Sequence, residues 1–305
     1  MAFYRLAGLR IVSDFPLVGL HTCPDDFAPH NDVTIRTAPV TARGATTYCD
    51  GQQIGEHNGR EVFLDFPRVG RFLVRAGKEI LIDPAPASDA SEVRAYLLGT
   101  AFGMLCHQRG ITPLHASAID LADGCVAFVG ASGVGKSTLV AALAQRGHQI
   151  ISDDVCFLQL EGEGNVQVGP GIERIRLWED AMYALGYGGP GVDREMHGSN
   201  KYFVPVRPPR NPLDRRRLHR IYELHSGPDG AIEVSNLYGG AAVEVLMQNV
   251  YRLGLAERLG YKPDAFIACA AAARNVPVFR LRRPKHFHAL KETIEILEDH
   301  LCDVG

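Results

Sequence analysis

The run Gly130-Ala131-Ser132-Gly133-Val134-Gly135-Lys136-Ser137, continued by Thr138, fits the pattern GxxxxGK[ST] in full. In that pattern the glycines let the chain curl so that successive backbone N–H groups converge on an anion. The start of the following helix adds its positive end. The lysine brings a point charge to the β- and γ-phosphates, and the serine hydroxyl can ligate Mg²⁺. The flanks suit the motif, with apolar CVAFV before it and the helix-forming LVAALAQR after it, stopped by Gly147. The residues therefore name ATP or a similar nucleoside triphosphate and Mg²⁺ as ligands, with residues 130–138 as the cradle.

Asp153 and Asp154 close the next expected strand, HQIIS. A short crossover from the loop helix would bring both carboxylates beside the phosphates. Two adjacent carboxylates there can divide the work: one holds Mg²⁺ with Ser137, and the other accepts a proton from an attacking hydroxyl. Alternation along an extended chain sends the two side chains to opposite sides. The residues alone leave open which of the pair does which. His115, on the expected strand before the loop strand, can orient a carboxylate base.

Weaker candidates surround this core. Arg176, in IRLW, can stabilise charge on a transferring phosphoryl group, and Arg174 would share its strand face. Lys201, in HGSNKYFVPV, can reach phosphate or substrate. The arginine-rich run between Arg207 and Arg220 can attract an acidic peptide or a terminal carboxylate, because guanidinium binds carboxylate through two hydrogen bonds. His286 and His288 lack Cys, Asp or Glu at ligand spacing, so a metal site there is not expected.

These residues need elements to hold them. Residues 1–86 carry short β-prone segments broken by Gly, Pro and Asp. Asp89 opens a helix expected to run to about Gln108 and to stop at Gly110, with Val93, Tyr96, Leu97, Ala101, Met104 and Leu105 on one face. From His115 the pattern turns to α/β: LHASAID and GCVAFVG as adjacent strands, the loop and its helix, then HQIIS and VCFLQLEG. Residues 181–215 read as loop, RIYELH and IEVSNL as strands, residues 240–259 as one helix, VPVFRLRR as a strand and residues 287–301 as an amphipathic helix. The expected fold is α/β: a P-loop catalytic core over 111–305, a β-rich N-terminal module over 1–86 and a connecting helix over 87–110.

Composition sets the outer limits. The chain has 305 residues, 46% apolar and 22% charged, with a net charge of −3. That is enough apolar content for one large or two small cores and argues against disorder. Near-neutral charge gives no reason to expect nucleic acid as a partner. No apolar run reaches the roughly 18 residues of a membrane helix, and the first residues carry no signal-peptide pattern. The seven cysteines are scattered, as expected for reduced thiols of a cytoplasmic protein.

The block LHASAID…GCVAFVGASGVGKSTLVAALAQRGHQIISDDV resembles the catalytic domain of bacterial HPr kinase/phosphorylase. Phosphoenolpyruvate carboxykinases are distantly similar in the same loop and paired aspartates. The clear resemblance covers residues 112–160 and weakens towards the C-terminus; the N-terminal half departs from that of HPr kinases. Across the whole chain, the YRLAGLRI start, HQRGITPLHASAI, SDDV and IRLW resemble the HPr-kinase-related tailoring kinases of lasso-peptide systems. The resemblance implies an HPr-kinase-like fold, ATP and Mg²⁺ as cofactors, and phosphorylation of a serine near the C-terminal end of a precursor peptide. It implies Asp153 as base and Asp154 as Mg²⁺ ligand, and it allows a homo-oligomer. A small-molecule hydroxyl kinase and a nucleotide-sensing regulator without transfer activity are the alternatives.

Overall fold

A computed structural model describes residues 1–23, 31–41, 46–49, 52–57, 60–162, 164–172, 174–189, 192–194, 199–205, 214–228 and 232–302. The architecture is mixed α/β. Nine strands form the first sheet: β1 (Ala2–Leu6), β2 (Leu9–Ser13), β3 (His21–Cys23), β4 (Val33–Thr37), β5 (Thr46–Cys49), β6 (Gln52–His57), β7 (Glu61–Phe66), β8 (Gly70–Arg75) and β9 (Glu79–Pro84). Their order is β3-β1-β2-β4-β9-β8-β7-β6-β5. The β1–β2 hairpin turns on Ala7 and Gly8, both at positive φ (56° and 72°), the backbone twist that two-residue hairpins favour.

A helical segment follows. Asp89 caps it through a 2.7 Å bond from the Ser91 N–H to Oδ1. It runs as α1 (Ala90–Tyr96), a π-helical turn (Leu97–Ala101) and α2 (Phe102–Gln108), and Gly110 at φ 70° ends it. Its buried face meets the first sheet, and the same apolar cluster takes in Phe157, Leu255 and Leu259 from the rest of the chain. Phe102 is fully buried edge-on to Phe157, with ring centroids 5.7 Å apart.

The remaining elements are β10 (Thr112–Leu114), β11 (Ala116–Leu121), β12 (Gly124–Val129), α3 (Lys136–Gln145), β13 (Ile150–Ser152), β14 (Cys156–Glu161), β15 (Asn165–Gly169), β16 (Arg174–Trp178), α4 (Glu179–Ala184), β17 (Asp193–Arg194), β18 (Lys201–Pro205), β19 (Arg216–Ser226), β20 (Glu233–Leu237), α5 (Gly239–Gln248), α6 (Leu253–Arg258), α7 (Lys262–Asn275), β21 (Val278–Arg283) and α8 (Leu290–Cys302). A central sheet runs β20-β21-β19-β12-β11-β13. Its middle strands β12, β19 and β21 are parallel. All six residues of β12 are buried, as a strand covered on both faces requires. One face packs on α5 and α7, and the other on α3, α8 and the small sheet β16-β18-β17. The first residues of β19 also pair with β15, which joins the leaf β10-β14-β15 to the centre.

Three departures from the sequence reading have physical causes. Residues 181–215, expected as loop, hold the end of α4 and the strands β17 and β18, which exist through pairing with β16 rather than through local propensity. The helix expected over 240–259 breaks between Gln248 and Leu253. There Asn249 spends its side chain elsewhere and Arg252 adopts φ 56°. The alanine-rich α7 was not anticipated, although Pro263 in its first turn is a start signal. Among the described residues no helix is long and apolar enough to cross a membrane.

His107 in α2 is buried with its ring stacked on Tyr261, and burial pulls its pKa from 6.5 to about 4. The unfolded chain therefore binds a proton near 6.5 that the folded chain refuses until about 4. Stability is lost as pH falls through that window. Denaturant midpoints at pH 7 and pH 5 should drop more steeply for the native chain than for His107→Phe; equal drops would remove His107 as the cause.

Candidate active site

The loop between β12 and α3 is held from behind. The Gly130 N–H donates to Asn249 Oδ1 at 2.8 Å, and Asn249 Nδ2 donates to the Val245 carbonyl at 2.8 Å. The Asn249 carbonyl in turn accepts from the His115 N–H at 2.7 Å. One residue thus breaks a helix, braces the phosphate loop and positions the histidine. Gly130, Gly133 and Gly135 all take positive φ (137°, 77° and 99°), which residues with a Cβ rarely adopt. A Cβ on Gly130 would also lie 2.7 Å from the Leu224 carbonyl oxygen.

Residues 132–138 line a cavity of about 600 Å³ that also takes in His115, Asp154, Arg176, Lys201 and Arg283. Gly130 and Ala131 sit behind it, where their carbonyls accept from Lys136 Nζ at 2.6 and 3.3 Å. Burial lowers the Lys136 pKa to about 8, against the pull of Asp154 and Asp153. Lys201 caps the cavity with Nζ 4.6 Å over the half-exposed Trp178 ring.

The two aspartates sit side by side in sequence and in different surroundings. Asp153 is 5% exposed. Its Oδ1 accepts from Ser117 Oγ at 2.6 Å and its Oδ2 from the Arg176 N–H at 2.9 Å, and the nearby Ser137 hydroxyl also favours its charged form. Burial pushes its pKa up, while these donors push it back down. Asp154 stands at φ 70° and faces the cavity. Its Oδ1 lies 3.5 Å from His115 Nδ1 and 3.4 Å from Arg176 Nη2. His115 Nδ1 is also 3.0 Å from the Asp154 carbonyl oxygen. Burial, then the charge of Lys136, lowers the His115 pKa and keeps the ring neutral. His115 lies between β10 and β11 rather than within a strand, and it meets Asp154, not Asp153.

The other candidates fall in several places. Arg174 does not line this cavity; its guanidinium lies 3.7 Å over the Phe203 ring. Within the arginine-rich run, Arg216 pairs with Asp120 at 2.6 Å and Arg220 donates to the carbonyls of His300 and Leu301. Those two arginines belong to the packing of β19. Arg207 and Arg210 lie outside the described residues. His286 Nδ1 caps the turn before α8 by accepting from the Ala289 N–H.

Two contributors carry no motif. Asn249 was hidden inside an apparent helix, although Asn is a poor interior helix residue. Arg283, at the end of β21, is 4% exposed. Its Nη2 donates to the Val134 carbonyl at 3.2 Å, and its Nε is buried without a hydrogen-bond partner among the described residues. A buried cation against the loop's backbone fits an anionic ligand there. The Ser137 hydroxyl is a hard oxygen donor facing the cavity, backed by the Asp153 carboxylate, and suits Mg²⁺. The site's residues therefore suit a triphosphate and its magnesium ion.

Among solved structures, the HPr(Ser) kinase/phosphatase from Coxiella burnetii is similar to this chain, with a TM-score of 0.33 and 14% identity over 63% of this chain and 99% of that one. No protein-family model and no curated protein matches the chain. At that level of likeness, function has to be argued from the site's own geometry.

Arg283→Met should weaken binding of a fluorescent ATP analogue by about tenfold, roughly 1.4 kcal/mol, while the melting temperature holds or rises because an unpaired buried charge is gone. Unchanged affinity would remove Arg283 from the triphosphate site.

Proposed function

We propose that the protein is an ATP- and Mg²⁺-dependent kinase that transfers the γ-phosphoryl group to a hydroxyl acceptor. One observation carries the reading. Two adjacent carboxylates stand at the phosphate loop: one is buried on Ser117 and the Arg176 N–H, and the other faces the cavity beside a histidine and an arginine. A nucleotide sensor has no need of the second.

The geometry favours a definite division of roles, the reverse of the one the family resemblance implies. Asp153 has its oxygens committed to Ser117 and the Arg176 N–H and stands beside the Ser137 hydroxyl, so it serves the metal side of the site. Asp154 faces the cavity and serves as the base. Bound Mg²⁺ supplies charge neutralisation across the phosphate oxygens. Lys136, drawn onto the loop carbonyls here, exchanges them for phosphate oxygens. His115 and Arg176 bracket the Asp154 carboxylate and hold it towards the acceptor. Asp154 takes the hydroxyl proton as the acceptor oxygen bonds to the γ-phosphorus. The bond to the β–γ bridging oxygen breaks, and its electron pair leaves with ADP.

The finer reading is a serine of a ribosomally made precursor peptide as acceptor, supported by the resemblance of the YRLAGLRI, HQRGITPLHASAI and IRLW segments. Residues 111–305 would carry the transfer, with 1–86 and the helix of 87–110 on the acceptor side. A small hydroxyl compound is the second reading, favoured by a walled cavity on the far side of Asp154.

Mass spectrometry of serine peptides and hydroxyl compounds incubated with the protein, ATP and Mg²⁺ tests this. Asp154→Asn should cut transfer at least about 100-fold, the scale of a lost general base, with nucleotide affinity retained. Native turnover by Asp154→Asn would take the base role from it.

A further inference from the structure

The first cavity extends past its phosphate loop. At about 600 Å³ it has the volume of a site that encloses a whole small-molecule ligand. A second cavity, of about 300 Å³, adjoins it, and the two share Asp154 and Arg176. Strand β16 runs past both. Its Ile175 and Leu177 are buried, and Arg174, Arg176 and Trp178 share the other face. Arg174 lines the second cavity alone, Arg176 lines both, and Trp178 lines the first alone. The strand therefore gives a direction. At about 3.3 Å per residue, Trp178 stands roughly 7 Å beyond Arg176, on the side away from the second cavity.

In-line transfer puts the γ-phosphoryl group at Asp154 and the leaving group behind it. The nucleoside then belongs to the end of the first cavity remote from Asp154. Two segments rim that end. The close of β16 and the start of α4 bring Trp178 and Ala181, and the chain after Arg283 brings Lys285, His286, Phe287 and Leu290. Ala181 and Leu290 are buried and make an apolar floor, whereas Trp178 and Phe287 are 51% and 41% exposed. One exposed aromatic side chain is ordinary; two at one cavity, around an apolar floor, make a platform for a flat ring. Lys201 lies opposite Trp178 in the β16–β18 pairing, and its Nζ, 4.6 Å over the indole, steadies the ring.

The polar groups of this rim have partners in their own chain. Asp180 Oδ1 accepts from the Ala181 N–H at 2.8 Å, Glu179 Oε1 from Tyr202 Oη at 3.0 Å and His286 Nδ1 from the Ala289 N–H at 3.3 Å. The Asn200 carbonyl accepts from the Glu179 N–H at 2.9 Å. Lys285 is an exposed ammonium on a flexible stem. Fixed donors and acceptors held against a base edge are what reject a wrong base. This rim offers ring faces in their place.

We infer that Trp178 and Phe287 form the base platform of the nucleotide site, and that the platform takes a base by its π-face without reading its edge. Every base has a π-face, so GTP serves as well as ATP. The inference rests on the nucleotide half of the kinase reading and is independent of the acceptor. It widens the donor from ATP to purine nucleoside triphosphates. The phosphate loop and Arg283 hold the charged part of any of them, and the platform adds affinity for the ring.

The test is calorimetric titration of the full chain with Mg²⁺ and three probes: ATP, GTP and inorganic tripolyphosphate. The emission of Trp178, the chain's only tryptophan, is read in parallel. ATP and GTP should bind within about threefold of each other and quench the indole, whereas tripolyphosphate should bind about tenfold more weakly and leave the emission unchanged. Trp178→Leu and Phe287→Leu should each weaken ATP and GTP alike, by about tenfold, with tripolyphosphate affinity and melting temperature as in the native protein. A preference for ATP over GTP above about tenfold would reveal edge reading and overturn the inference. Tripolyphosphate binding as tightly as ATP, or variants that weaken tripolyphosphate as much as ATP, would overturn it too. Failure of all three probes to bind would remove the platform together with the nucleotide site. Binding as expected, with no phosphoryl transfer to any hydroxyl acceptor, would instead sink the kinase reading and leave the platform standing.

Discussion

A carboxylate shut away from water has to take its hydrogen bonds from the protein, and Asp153 takes them from separate elements. Ser117 lies on β11 and the Arg176 N–H on β16, and the Ser137 hydroxyl stands nearby at the start of α3. Leaving such a charge without donors costs several kcal/mol. The chain is therefore constrained to bring those elements to one point, and that point lies directly beneath the phosphate loop. Once Asp153 is fixed, its neighbour has little choice. The chain must reverse between β13 and β14, Asp154 takes a left-handed backbone, and its side chain emerges between the two cavities beside His115 and Arg176. One buried carboxyl group thus sets the direction of its half-buried neighbour.

The same economy recurs on the loop's other side. Asn249 gives its side chain to Gly130 and its carbonyl to His115, so the break between α5 and α6 is the condition for both contacts. Arg283 brings a buried cation to the loop's backbone, with no ion pair among the described residues, which suits a multiply charged anion as its counter-ion. Neither contact depends on the N-terminal sheet. That sheet enters the site at one remove, through Val18 and the Pro16 carbonyl on Arg94, at the wall of the second cavity.

What the sequence displayed follows from what is local. The loop's glycines, lysine and serine act through consecutive residues, so their spacing alone announces them, and Asp89 marks a helix start by the same logic. The paired aspartates were visible by position, but their division of roles was not. It depends on burial by β11 and β16 and on a left-handed residue that no periodicity reports. The family resemblance and the geometry assign the two roles in opposite senses, and only the geometry sees which carboxylate Ser137 and His115 meet. Asn249 and Arg283 stayed hidden because their partners lie more than a hundred residues away. Strands β17 and β18 stayed hidden because pairing, not composition, makes them strands.

In the proposed division of roles, Asp153 serves the metal side of the site and Asp154 the proton. Electron paramagnetic resonance of Mn²⁺ bound with ATP tests it most directly, since Mn²⁺ takes the same hard oxygen ligands as Mg²⁺. Asp153→Asn should alter the Mn²⁺ spectrum and weaken its binding, whereas Asp154→Asn should leave both as in the native protein. A Mn²⁺ site disturbed by Asp154→Asn and indifferent to Asp153→Asn would contradict it.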